Sequence, residues 1–286
     1  MPESTLVSTT GVEYAFLGDG PPLLMIAGFG QTGQVWEAVL PRLTRKFRCY
    51  YFSNRGADGR SESLAGLTID ELADDAVSVI RSIGEPVGVL GWSMGGAIAQ
   101  CLAHRHPDLV RALVLLASMA RRNELQANLT AARLALLTAG ARPEEIETVL
   151  LPWMFTPALL SNTARAEAIV RANGKGYPVD LAGLRAQAAA LDGFDATAWL
   201  PDIDVPALVV VGAEDMLTPV SAAVELANGL PGAELAVLPR GGHAAILESP
   251  NEVVPPILRF LDHAMRPARG RQVTATSRET EKTGCT

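Results

Sequence analysis

The chain lacks any uninterrupted apolar run approaching the ~18 to 20 residues that a membrane-spanning helix requires. Its 286 residues, 48% of them hydrophobic, therefore predict a soluble fold with an ample core and no membrane partner. It opens Met-Pro-Glu-Ser-Thr, without the basic and apolar regions of a secretory leader, and a cytoplasmic location is expected. Cysteine is scarce. Cys49, Cys101 and Cys285 are odd in number and far apart, and Cys49 falls in a strand-like run and Cys101 in a helix. Cys49 and Cys101 read as small buried hydrophobes, which suits a reducing compartment. The four histidines and the cysteines form no cluster at ligand spacing, so neither a metal nor another cofactor is expected. Positive charge is also short. Net charge is −7, and residues 266–286 contribute +3, so residues 1–265 carry −10 and nucleic acid is not an expected partner.

What is present is an alternation of short apolar runs with helical ones, organised around one stretch. Gly91-Trp92-Ser93-Met94-Gly95-Gly96 follows a buried strand-like run at 86–90 and precedes a buried helix-like run at 97–103. Gly91 and Gly95 flank Ser93 as Gly-x-Ser-x-Gly, the spacing of a strand-to-helix elbow where flanking side chains would clash. Such a turn lifts the Ser93 hydroxyl to the tip of a sheet and aims the Met94 N–H at a developing negative oxygen. A serine in this place can equally be a helix N-cap, and the rest of the chain must decide.

Strand-like runs occur at residues 6–8, 12–17, 23–27, 47–52, 86–90, 112–117, 207–211 and 234–238. The first two read as an antiparallel ribbon, and the later runs, alternating with helical patterns, as a mostly parallel sheet buried on both faces. The run at 23–27 ends in Gly28-Phe29-Gly30-Gln31-Thr32-Gly33, a glycine-rich loop at a strand's carboxyl end, where open α/β sheets bind ligands. The Phe29 N–H is the expected second oxyanion donor. Residues 35–43 have helical spacing. Thr68 with Glu71 forms a reciprocal helix cap, and His104 and His106 are expected at the surface near a helix end. From 119 to 199 the rhythm changes to helices alone, at 125–139, 144–150, 157–172 and 179–191, which reads as a lid inserted in a core made of 1–118 and 200–265. Trp153, Met154 and Phe155, between Pro152 and Pro157, either line a pocket or pack the lid. Pro219 is expected to open a helix as its first residue, and residues 266–286 read as a disordered tail.

Three loops at carboxyl ends of strands carry, in order, Ser93, Asp215 in Gly212-Ala213-Glu214-Asp215, and His243 in Gly242-His243. A serine hydroxyl is a poor nucleophile near neutral pH, so a histidine must take its proton, and a carboxylate must fix that imidazole's tautomer and stabilise its cation. Glu214 competes with Asp215 for the acid role, and Asp202, Asp204 and Asp58 compete more weakly.

Over about residues 10–265 the chain resembles the α/β-hydrolase fold family, and within it the non-haem haloperoxidase-like, or bromoperoxidase-like, branch. Ile26-Ala27-Gly28-Phe29-Gly30 and Asn54-Arg55-Gly56 join the stretches above in carrying the likeness. The resemblance implies an eight-stranded, mostly parallel sheet flanked by helices, a helical lid after the sixth strand, Ser93 as nucleophile, His243 as base, Asp215 as acid, and Phe29 and Met94 as the oxyanion hole. Gly28, Trp92, Trp153 and Phe155 are the candidate substrate contacts, and the aromatic residues suggest a small, largely apolar substrate. Three departures stand out. Many relatives have His-Gly where this chain has Ala27-Gly28, so another contact must hold that loop. Ser53-Asn54-Arg55-Gly56-Ala57-Asp58-Gly59-Arg60-Ser61 has one residue more than the family's Asp-x-Arg-Gly-x-Gly-x-Ser. Gly30 stands where members that readily make peracids tend to have proline.

The expected activity is cofactor-independent cleavage of an ester, lactone or thioester of a small molecule through a Ser93 acyl-enzyme. Elimination, C–C cleavage, perhydrolysis or haloperoxidation by the same triad, and a receptor with vestigial turnover, are the alternatives. Self-association is left open.

Overall fold

The computed structural model describes residues 5–57, 64–176 and 180–266. Asp58, the far end of the 53–61 loop, Tyr177-Pro178, Cys285 and all but the first residue of the 266–286 tail lie outside the described residues.

Eight strands, β1 (Thr5–Val7), β2 (Glu13–Leu17), β3 (Pro22–Ile26), β4 (Arg48–Phe52), β5 (Val87–Trp92), β6 (Val110–Leu116), β7 (Ala207–Gly212) and β8 (Glu234–Leu238), form one sheet in the order β1-β2-β4-β3-β5-β6-β7-β8. β1 and β2 form the expected antiparallel ribbon, and β2 pairs antiparallel with β4; the remaining neighbours are parallel. Continuous apolar runs can be buried only where both faces of a sheet are covered. β3, β5 and β7 are buried at every residue.

The helices are α1 (Leu40–Leu43), α2 (Ile69–Ile83), α3 (Met94–Arg105), α4 (Glu124–Thr138), α5 (Pro143–Met154), α6 (Pro157–Leu160), α7 (Thr163–Gly176), α8 (Leu181–Asp192), α9 (Val220–Gly229), α10 (Ala245–Glu248) and α11 (Pro250–Ala264). Alternate strand residues feed two cores. Leu24, Ile26, Val89, Leu113 and Val209 pack with α2, α3 and α9, whereas Leu23, Met25, Leu90, Val114 and Val210 pack with α1 and α11. The helices between β6 and β7 join both cores, Leu191 of α8 in the first and Leu151 of α5 in the second. Among the described residues no helix is long and apolar enough to cross a membrane.

Thr68 and Glu71 make the reciprocal cap of α2. Five local readings change. Residues 35–43 form a 3-10 helix at Gly33–Ala38 and then α1, because Pro41 has no N–H to continue one helix. The helix expected at 144–150 runs on through Pro152 to Met154. The one expected at 157–172 divides where Asn162 Oδ1 accepts the Arg165 N–H at 3.1 Å and caps α7. Pro219 is the residue before α9 and not its first. His104 is half-buried and stacks on Trp199 at 4.8 Å between ring centroids.

Candidate active site

The turn from β5 to α3 depends on missing side chains. A Cβ on Gly91 would lie 2.3 Å from the Gly95 carbonyl oxygen, and one on Gly95 only 2.0 Å from that of Ile26. Bare glycines thus let the elbow close and let it press against the end of β3. Ser93 takes φ 55 and ψ −118, a conformation that costs a non-glycine residue ~1–3 kcal/mol and persists only where its surroundings enforce it. They do so through the Ser93 N–H, which donates to the Leu116 carbonyl at 2.9 Å, and the Ser118 hydroxyl, which donates to the Ser93 carbonyl at 3.0 Å. The Ser93 side chain makes no capping bond to α3. Its Oγ instead lies 3.0 Å from His243 Nε2.

His243 follows β8, and its Nδ1 lies 3.1 Å from Oδ2 and 3.3 Å from Oδ1 of Asp215, in the loop after β7. Both residues are only 4% exposed. Asp215 is bound on its other sides by the Leu217 and Thr218 N–H groups at 2.9 and 2.8 Å and by the Thr218 hydroxyl at 2.6 Å. Burial alone would push its carboxyl up; the charge and hydrogen bond of His243 and the bonds from Thr218 outweigh this and hold it below the usual carboxylate range. Ser93, His243 and Asp215 are thus brought together, and Glu214, though adjacent in sequence, is not part of the chain of contacts.

The loop after β3 lies against the elbow, since a Cβ on Gly28 would sit 3.4 Å from Ser93 Cβ. Neither the Phe29 nor the Met94 N–H donates to a described residue. The loop is held without the family's histidine. Asn54 Nδ2 donates to the Ala27 carbonyl at 2.9 Å, and Gln187 Oε1 accepts the Gly30 N–H at 2.8 Å while Gln187 Nε2 donates to the Arg55 carbonyl at 2.7 Å. Gly30 has φ +66. Proline can adopt neither that angle nor that bond, which gives the Gly30 departure its local reason. Sequence reading missed Gln187. The available signal was a glutamine on the Leu184, Ala188, Leu191 face of α8, an otherwise apolar stripe, and it is 0% exposed.

Two further anchors tie the inserted helices to the other loops. Asn123, which caps α4, donates from Nδ2 to the Leu217 carbonyl beside Asp215 at 3.0 Å. Next to His243, the Ala244 N–H donates to the Met154 carbonyl at 2.8 Å, and Glu248 accepts both the Gly242 N–H and the Thr156 hydroxyl.

Ser93 and His243 open into a cavity of about 120 Å³. Gly28, Trp92 and Phe155 line it, and the Trp92 indole N–H also holds the His243 carbonyl at 3.1 Å. Trp153 does not line it. Glu147, Leu150, Leu151 and Met154 face the cavity from α5, the i, i+3, i+4, i+7 stripe of a helix that continues through Pro152, and Trp153 falls off that stripe. From α4 the same spacing presents Gln126, Leu129, Thr130 and Arg133. No group of three His, Cys, Asp or Glu among the described residues could hold a metal.

The α/β hydrolase fold family matches residues 21–250 of the chain. The pimeloyl-acyl-carrier-protein methyl ester esterase of Chromobacterium violaceum is 31% identical over 86% of this chain and 96% of its own length. The polyketide synthase ThaQ of Burkholderia thailandensis is 31% identical over 88% of this chain, which spans only 12% of that protein's length. Among solved structures, the provisionally named non-heme bromoperoxidase BpoC of Mycobacterium tuberculosis superposes with a TM-score of 0.80 at 27% identity, covering 92% of this chain and 97% of BpoC. The chain belongs to the α/β-hydrolase fold family, in its bromoperoxidase-like branch, and is a hydrolase.

Proposed function

We propose that this hydrolase cleaves ester, lactone or thioester bonds of a small molecule through a Ser93 acyl-enzyme, with the helices between β6 and β7 as the roof of its pocket. The observation that carries this reading is the unbroken line of contacts from Ser93 Oγ through His243 to a buried Asp215. Asp215 accepts from His243 Nδ1–H, which fixes the tautomer whose bare Nε2 takes the Ser93 proton. Ser93 Oγ attacks the carbonyl, and the Phe29 and Met94 N–H groups, which have no partner among the described residues, hold the resulting oxyanion. His243 then protonates the leaving group. A water deprotonated by His243 releases the acid from Ser93. No cofactor takes part in any of these steps.

The test is intact mass after incubation with a fluorophosphonate probe, followed by turnover of p-nitrophenyl esters. A single adduct on the wild-type protein, absent from Ser93→Ala, together with ester turnover abolished by that change, is the expected result. A folded wild-type protein that neither labels nor turns over any ester, lactone or thioester would overturn the reading.

A further inference from the structure

Two arginines reach the cavity, and only one is committed. Arg122 Nη1 bonds Asp192 and the Ala188 carbonyl. Arg133 has no hydrogen bond to a described residue: its Nε–H is buried without an acceptor, and the carboxylate it faces, Glu147 Oε1, stands 3.9 Å from Nη2, beyond hydrogen-bond range. The side chain is only 15% exposed and that exposure opens on the cavity. The guanidinium lies against the oxyanion loop. Its Cζ is 5.7 Å from the centre of the Phe29 ring, and a Cβ on Gly30 would meet Nη1 at 3.3 Å.

Guanidinium donors this far out of water strongly favour an anionic acceptor. Burial pulls the Arg133 pKa down and Glu147 pushes it back only in part, so the desolvation that Arg133 suffers is incompletely offset by the protein itself. We infer that Arg133 is a substrate-recognition residue that binds a carboxylate, so that the preferred substrates are esters or thioesters bearing a free carboxylate rather than wholly apolar ones. This rests on the serine-hydrolase reading above. A monoanion is favoured over a phosphate dianion because a single guanidinium is available and Glu147 already places negative charge beside it. A planar carboxylate matches the guanidinium fork, which a lysine could not reproduce.

The test compares monomethyl glutarate with methyl pentanoate, in which a methyl group replaces the carboxylate, by pH-stat. The wild type should favour the half-ester, and Arg133→Met should lower the ratio of the two kcat/KM values by roughly 10- to 100-fold, mostly through KM. Taking the ratio cancels any general disturbance of the oxyanion loop. Arg133→Lys should fall between. Glu147→Gln should raise the ratio, an effect that a purely structural Arg133–Glu147 pair would not produce. An equal ratio in wild type and Arg133→Met overturns the inference. If neither ester turns over, the hydrolase reading is at fault, and calorimetric titration of glutarate into Ser93→Ala decides the carboxylate site separately: binding that is lost on adding Arg133→Met supports it, and no binding overturns it.

Discussion

Replacing Gln187 with leucine removes a side chain that bridges the oxyanion loop and the Asn54-Arg55-Gly56 loop. The shape of the site is nearly kept, so the loss is chiefly of two hydrogen bonds, from the Gly30 N–H at 2.8 Å and to the Arg55 carbonyl at 2.7 Å. Main-chain groups left dry and unpaired cost ~1–3 kcal/mol each, so the variant should lose about 2–6 kcal/mol of stability. The catalytic effect has a different origin. Gly30 is joined to Phe29 by one peptide unit, and freeing it should let the Phe29 N–H drift from the oxyanion position proposed for it. Loss of a whole oxyanion donor costs ~10²–10³ in kcat, but Asn54 still holds Ala27 and Ser53 Oγ still accepts the Gly33 N–H at 3.2 Å. A loss of roughly 10- to 100-fold in kcat, with little change in KM, is therefore expected. Urea unfolding and steady-state hydrolysis of p-nitrophenyl butyrate measure the two effects. Gln187→Glu keeps the acceptor for Gly30 while setting a carboxylate oxygen against the Arg55 carbonyl oxygen, so it should lose stability yet retain more kcat than the leucine variant. A leucine variant with reduced stability and wild-type kcat would refute the positioning argument and leave Gln187 as packing.

Thr218→Val removes one donor from Asp215. The folded pKa of Asp215 is depressed, so its ionised form adds stability above the unfolded value near ~3.9 and gives it up as pH falls through the lower folded value. The variant's stability deficit of about 1 kcal/mol at pH 7 should shrink below pH ~4, as read by urea melts at both pH values; a constant deficit would point to lost packing. Gly95→Ala, whose Cβ would lie 2.0 Å from a main-chain oxygen, should cost more than ~4 kcal/mol or prevent folding, and a soluble variant with a melting point near wild type would contradict the elbow geometry. Burial pushes the thiols of Cys49 and Cys101 up to about 12, so both stay neutral at pH 8. Iodoacetamide should leave them unmodified in the native protein and alkylate them in urea, as peptide mass mapping would show.

Some of this was readable from residue order because it is local. Strands buried on both faces need continuous apolar runs, and elbow glycines are fixed by clashes within a few residues, so β3, β5 and β7 and the loops bearing Ser93, Asp215 and His243 could be placed in advance. Other features depend on contacts across the chain. Gln187 meets Gly30 across 157 positions, and nothing near either residue encodes the partner. A helix ended at residue 150 loses its phase beyond Pro152, and that phase decides whether residue 153 or 154 faces the cavity. Arg133 sits among the leucines and alanines of α4, and its burial comes from contacts across the chain, with Glu147 of α5 and the Phe29-Gly30 loop.

The anchors through Asn123, Gln187 and the Met154–Thr156 segment reach, respectively, the loops that bear Asp215, Phe29 and His243. The inserted segment is thus spliced into all three, much as a staple crosses separate sheets of paper, and it cannot be exchanged between relatives as a simple cap. A chimaera carrying another enzyme's insertion should fold its sheet and still hold its three reactive loops out of alignment unless these attachment points travel with it. By contrast, the cavity-facing stripes of α4 and α5 bear none of the side chains that make these attachments. Diversification of such a scaffold is therefore expected to concentrate on those stripes, where a residue can change what enters the pocket without unfastening what reacts with it.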